Sequence, residues 1–131
     1  MLTTGIKNTI SDIVTEENTA KTVKSGGLSV YATPMMIALI ENCCFSSVEN
    51  ELKDEESTVG TEMNISHLSP SPVGIKVFCE SELIEINNRE LIFSVIVSDE
   101  KTIIGKGIHK RFIINKEKFI NKAIQKLNNK A

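Results

Sequence analysis

An α+β domain, with an antiparallel sheet wrapped around one long helix, is the fold class this chain predicts, and two observations predict it. Apolar residues recur at helical spacing after Thr33-Pro34, and from Ser57 onward the pattern switches to alternation, interrupted only by turn-forming clusters. A long helix followed by a run of strands on short turns is the order of a segregated helix-on-sheet layer, not of alternating parallel units. The chain of 131 residues is long enough to bury a real core as a single domain, 1–131.

The elements follow in order. Gly5 to Glu16 reads as a first strand, with Ile6, Ile10 and either Ile13 or Val14 as buried positions. The polar, glycine-punctuated NTAKTVKSGGLSVYA reads as a turn or lid-like loop around Gly26-Gly27. Thr33 suits an N-cap, and Pro34 suits the first helical position, where its missing N–H would be unpaired anyway. The helix is expected from Pro34 to about Leu52, ahead of the acidic Asp54-Glu55-Glu56.

In the next strand Val59, Thr61, Met63, Ile65 and His67 face one way, and Thr58, Gly60, Glu62, Asn64 and Ser66 the other. SPSPVG ends it. Strands are then expected over Ile75 to Ile86, Glu90 to Ser98 and Thr102 to Ile114, with turns at INNRE and SDEK. A last helix, Lys116 to Leu127, carries Phe119, Ile120, Ala123, Ile124 and Leu127 at helical spacing.

Composition removes several function classes. A net charge of −2 gives no electrostatic reason to expect nucleic acid or an anionic membrane as partner, and the C-terminal lysines read as the wet face of the last helix. No apolar run approaches membrane-spanning length and no apolar stretch follows a basic start, so a cytoplasmic protein with reduced thiols is expected. Three cysteines, two of them adjacent, make no disulfide framework. Two widely separated histidines and no CxxC leave no ligand cluster, so zinc is not expected, and no cofactor is implied.

Three residues stand out chemically. Glu41 falls on the helix stripe Ile37–Glu41–Cys44–Phe45–Val48, where a carboxylate is either paired structurally or held in a low-polarity site as base or nucleophile. His67 ends a strand on its apolar face, as a hydrogen-bonded core residue or a catalyst. The helix stripe must pack on that strand face, so the two anomalies point into one layer. Gly60 marks either close backbone approach to a ligand or a bulge. His109, alternating with Gly107 and Arg111, reads as exposed or at an interface.

VYATPMMIALIE, TVGTEMNISHLSPSPVG and GKGIHKRFII together resemble the thioesterase family typified by fluoroacetyl-CoA thioesterase, over about Gly27 to Phe119. The combination is specific: a Thr-Pro helix start, a glutamate eight residues later and a histidine twenty-six beyond that. The resemblance implies a hot-dog fold, a homodimer with active sites at the subunit interface, and catalytic roles for Thr33, Glu41 and His67. It implies hydrolysis of an acyl-CoA to a free acid and coenzyme A.

In that reading the backbone N–H groups of Met35 and Met36 are oxyanion donors and Gly60 lies against the substrate. Arg111 or lysines near the strand ends meet the coenzyme's phosphates, a choice the sequence does not make. The phenylalanines that close the acyl pocket of the fluoroacetyl-specific enzyme have no counterpart in KTVKSGGLSVY, which offers only Leu28, Val30 and Tyr31. The alternatives are a non-hydrolytic acyl-CoA or small-ligand binder, and a structural dimer in which Glu41 and His67 satisfy each other.

Overall fold

Alternation and turn chemistry build the sheet. The computed structural model describes residues 1–128 and forms five antiparallel strands: β1 (Lys7–Ile13), β2 (Glu56–His67), β3 (Lys76–Asn87), β4 (Glu90–Asp99) and β5 (Ile103–Asn115), in the order β1-β3-β4-β5-β2. At the β3–β4 turn Asn88 adopts a left-handed conformation (φ 58°), which asparagine tolerates better than most residues. At the β4–β5 turn Asp99 Oδ1 accepts from the N–H groups of Lys101 and Thr102. The inward residues Val77, Cys79 and Leu83 of β3, Leu91, Phe93, Val95 and Val97 of β4, and Ile104 of β5 form one buried layer.

Across that layer lies α2 (Thr33–Val48), extended by a 3₁₀ turn over Glu49–Glu51. Its buried face is Met36, Leu39, Ile40, Cys43, Cys44 and Val48. The expected stripe through Ile37, Glu41 and Phe45 is therefore the flank of the helix, and these three are only half-buried. A sheet covers the i, i+3, i+4 arc centred on Leu39, Ile40 and Cys43, and a residue to one side of that arc sits at its rim. The three cysteines are buried and free.

The helix starts one residue earlier than expected. Ala32 is the N-cap, Thr33 is the first helical residue and Pro34 the second, so the Thr33 hydroxyl is not used for capping. The expected first strand stops at Ile13, and a 3₁₀ turn (Glu16–Asn18) leads into the expected lid-like loop. The loop contains a single helical turn, α1 (Ala20–Val23), capped by Thr19 Oγ1 accepting from the Thr22 N–H. Bridges Thr19–Tyr31 and Val30–Pro72 tie this segment to the entry of α2. At the other end α3 (Lys116–Asn128) follows β5 directly, with Phe119, Ile120, Ile124 and Leu127 exposed.

The longest departure in facing lies in β2. Its register against β5 shifts between Gly60 and Glu62, leaving Thr61 as the extra residue of a bulge. The shift reverses the pleat, so Thr58 and Gly60 face α2 before it and Met63, Ile65 and His67 face α2 after it. Val59 and Thr61 do not share a face with Met63, because one extra residue inverts a period of two.

Candidate active site

Helix α2 and the edge strand β2 meet along a seam with two separate grooves that carry different chemistry. At the start of the helix Thr33 Oγ1 lies 2.7 Å from His67 Nδ1. The other ring nitrogen, Nε2, is buried and has no hydrogen-bond partner among the described residues. Burial holds the His67 pKa below its usual 6.5, partly opposed by the nearby Ser69 backbone, so the neutral ring is favoured. A cavity of about 310 Å³ opens here, lined by Thr33, His67, Ala20, Ser25, Val30, Tyr31 and the 68–70 turn.

That turn is anchored from behind. The buried Ser71 hydroxyl donates to Asp99 Oδ2 at 2.8 Å, and the Ser71 carbonyl accepts from the Tyr31 N–H at 2.9 Å.

Two turns along the helix, Glu41 looks over Gly60. A second groove, of about 240 Å³, is lined by Ile37, Glu41, Gly60, Thr61, Glu62, Met63 and His109. Glu41 makes no hydrogen bond or ion pair among the described residues, and it does not touch Thr33 or His67 through hydrogen bonds. The structure thus brings Thr33 to His67, and Glu41 to Gly60, in two separate grooves along the α2–β2 seam. A Cβ on Gly60 would lie 2.8 Å from Glu41 Oε2, so glycine here is what lets the carboxylate approach the strand.

Behind Gly60 lies a buried polar cluster. Arg111 is 6% exposed; its Nε donates to Thr58 Oγ1 at 2.8 Å, its Nη2 to the Thr58 carbonyl at 2.9 Å, and its Nη1 to His109 Nε2 at 3.1 Å. The guanidinium also lies over the Phe45 ring, 5.8 Å from its centroid. His109 is 1% exposed and its Nδ1 donates to the Glu62 carbonyl at 2.9 Å. Cys44 sits close by, and burial pushes its thiol up to about 12, so it is no nucleophile at neutral pH.

Several expectations are corrected by these contacts. Arg111 is not an exposed contact for coenzyme phosphates, because all its nitrogens are engaged inside the domain. His109 is buried, not exposed. The N–H groups of Met35 and Met36 both donate to the Ala32 carbonyl at 3.0 Å, so neither is free to hold an oxyanion. The Met36 side chain is a core residue packed against Gly105. The helix-start donor left without an acceptor among the described residues is the N–H of Thr33.

Sequence reasoning missed Thr58 and His109 as parts of the cluster. The available signal was the i, i+2 placement of His109 and Arg111, which puts both on one face of β5 with Gly105 and Gly107.

A helix wrapped by this sheet is the hot-dog architecture: a hot-dog-like protein from Thermanaerovibrio acidaminovorans superposes with a TM-score of 0.88 at 12% identity, over 97% of this chain and 94% of the other. The chain belongs to the family described as fluoroacetyl-CoA-specific thioesterase, whose sequence profile matches residues 14–117. The fluoroacetyl-CoA thioesterase of Streptantibioticus cattleyicolor is 34% identical over 97 residues, covering 74% of this chain and 70% of that one. A solved structure of the fluoroacetyl-CoA thioesterase FlK superposes with a TM-score of 0.92 at 28% identity, over 96% of this chain and 98% of the other.

Proposed function

We propose that this chain hydrolyses the thioester of a short-chain acyl-CoA to a free acid and coenzyme A, as a homodimer in the cytoplasm. The observation that carries the reading is the Thr33–His67 contact at the mouth of an open groove, with a buried His67 nitrogen left unpartnered. A structural histidine in a core normally has both nitrogens satisfied. The Glu41 groove, about 240 Å³, suits an acyl group of a few carbons.

The chemistry follows from what each group can do. Glu41 takes a proton from a water whose oxygen forms the new C–O bond at the thioester carbonyl. Alternatively it attacks directly and forms an acyl anhydride, which a water then hydrolyses to the free acid and the free carboxylate. The oxyanion that develops is held by the Thr33 N–H, at the positive end of the α2 dipole. The C–S bond breaks and the thiolate leaves. The proton released by the attacking water is relayed through His67, which gives up one proton as it takes another and ends neutral, to make the free thiol. This sequence uses no metal or cofactor.

Edge strand β2, twelve residues long, supports the dimer: its outer side has no partner strand in the sheet, and long unpaired edges are normally covered. A twofold, antiparallel pairing of two β2 strands sets the His67 end of one beside the Gly60 end of the other. The Thr33–His67 groove of one protomer and the Glu41 groove of its partner then face each other across the interface.

The segment before α2 supplies no aromatic gate. Leu28 is exposed, and Tyr31 is buried with its hydroxyl donating to the Met35 carbonyl. Little preference for fluoroacetyl-CoA over acetyl-CoA follows.

Incubating the protein with a panel of acyl-CoA thioesters and a thiol-detecting reagent tests the proposal. Release of free thiol with similar efficiency for fluoroacetyl- and acetyl-CoA is expected. Saturable binding without thiol release would replace the enzyme with a binding protein.

A further inference from the structure

We propose that His109 is a positioning residue: as a neutral imidazole it aims the Arg111 guanidinium at the Glu41 carboxylate over Gly60. The inference rests on Glu41 being the catalytic carboxylate of the proposed reaction.

The hydrogen bonds determine the state of the ring. Nδ1 faces a carbonyl oxygen, Glu62 O, which can only accept, so Nδ1 carries the proton. Nε2 faces an arginine N–H, which can only donate, so Nε2 presents its lone pair. One protonation state satisfies both contacts, the neutral Nδ1–H tautomer. Burial and the Arg111 charge favour that state by lowering the His109 pKa. The groups around the ring are Glu41 from α2, Arg111 on its own strand and the uncharged Phe93 ring from β4, while β2 contributes the Glu62 carbonyl.

Arg111 is then held on three sides. Thr58 fixes Nε and Nη2 through its hydroxyl and its carbonyl, and His109 fixes Nη1. The position of a Cβ on Gly60 lies 2.8 Å from Glu41 Oε2, 3.2 Å from His109 Cε1 and 3.5 Å from Arg111 Nη1, so all three groups converge on that one point. No ion pair within 4.0 Å joins Glu41 to Arg111 among the described residues. The guanidinium is near enough to attract the carboxylate, while both carboxylate oxygens stay free for substrate or water. A cation fixed at that range orients the base without consuming it. Without the His109 lone pair, Nη1 loses its anchor and the guanidinium is free to swing onto Glu41 or away from it.

Two short amides separate this role from a structural one. In His109→Gln the side-chain amide oxygen reaches the place of Nε2 and can still accept from Arg111. In His109→Asn the amide nitrogen replaces Nδ1, keeping the Glu62 contact, but nothing reaches Arg111. The proposal expects Gln to retain most of the wild-type kcat and Asn to lose about tenfold or more in kcat with KM little changed, as for a misplaced reacting group. A residue that only props up the Glu62 carbonyl gives the opposite order, and that order, or equal kcat in the two variants, overturns the proposal.

A second readout does not depend on turnover. Nitrogen-15 NMR of the wild type should show the Nδ1–H tautomer of His109. It should also show slowly exchanging Arg111 guanidinium protons that persist in His109→Gln and vanish in His109→Asn. An Nε2–H tautomer, or guanidinium signals unchanged in the Asn variant, overturns it. If the wild type hydrolyses no thioester, the function reading fails, and the tautomer and guanidinium signals still decide whether His109 positions Arg111.

Discussion

Replacing Gly60 with alanine adds one methyl where the site converges, and its consequence can be worked from distances. The new Cβ lies 2.8 Å from Glu41 Oε2, 3.2 Å from His109 Cε1 and 3.5 Å from Arg111 Nη1, whereas ordinary contact begins near 3.4 Å. His109 is held through both nitrogens and Arg111 through three, so neither yields easily. Glu41 is the far end of a flexible side chain with no bonded partner, so its carboxylate retreats by about half an ångström or more. Gly60 does not have a positive φ, so alanine brings no backbone strain, and the fold should lose only about 1 kcal/mol. A shift of that size in a reacting group is expected to lower kcat by about tenfold to a hundredfold. Steady-state thiol release and a thermal melt on Gly60→Ala provide the assay. Wild-type kcat at a wild-type melting temperature would show that the carboxylate's place over Gly60 does not matter to the chemistry.

Three further predictions follow from the same geometry. Thr33→Ala removes the partner of His67 Nδ1 but no helix cap, because Ala32 occupies that position; kcat should fall at least about tenfold at a stability cost of about 1 kcal/mol, and a variant with full kcat would remove Thr33 from the mechanism. Burial holds both His67 and His109 below the ordinary 6.5, so between that value and their folded-state values the unfolded chain binds more protons than the folded one. Melting temperature should therefore fall as pH drops below about 6.5, while the acid limb of kcat lies below 6.5; a melting temperature that is flat or rising over that range would contradict this. Sedimentation should find a dimer at micromolar protein, since the β2 edge needs cover, and a stable monomer would count against the two grooves facing each other across an interface.

Much of the fold was legible because alternation and turn chemistry act locally. Each of the four strands after the helix begins and ends within one or two residues of its expected place, and α3 starts at the expected Lys116. What was not legible depends on tertiary contacts or on a single inserted residue. The bulge at Thr61 leaves no mark in the hydrophobic pattern, yet it moves Thr58 and Gly60 to the side facing α2. The turn α1 is too short for a periodic signal and persists through the Thr19 cap and the Thr19–Tyr31 bridge.

Within the site, Glu41 and His67 stood out as polar residues among apolar ones, although Glu41 proves to sit at the rim of the core. Arg111 and His109 were expected at the surface, on coenzyme phosphates or an interface, because a charged strand near lysines reads as wet. Thr58 on the paired strand β2 and His109 on its own strand show how the guanidinium is satisfied inside. A one-residue difference in the cap leaves the Thr33 amide, not the Met35 and Met36 amides, as the helix-start donor without an acceptor among the described residues.

The most direct test of the central claim, that Glu41 is the working carboxylate of a thioesterase, is thiol release and thermal melting measured on Glu41→Gln. Glutamine keeps the volume and removes the basic oxygen, and because Glu41 has no bonded partner among the described residues, nothing is left unpaired. Turnover should fall by about a hundredfold or more, the scale of a lost general base, while the melting temperature holds or rises. A variant that turns over normally but loses roughly 3–5 kcal/mol of stability, as when one half of a buried ion pair is removed, would contradict the account.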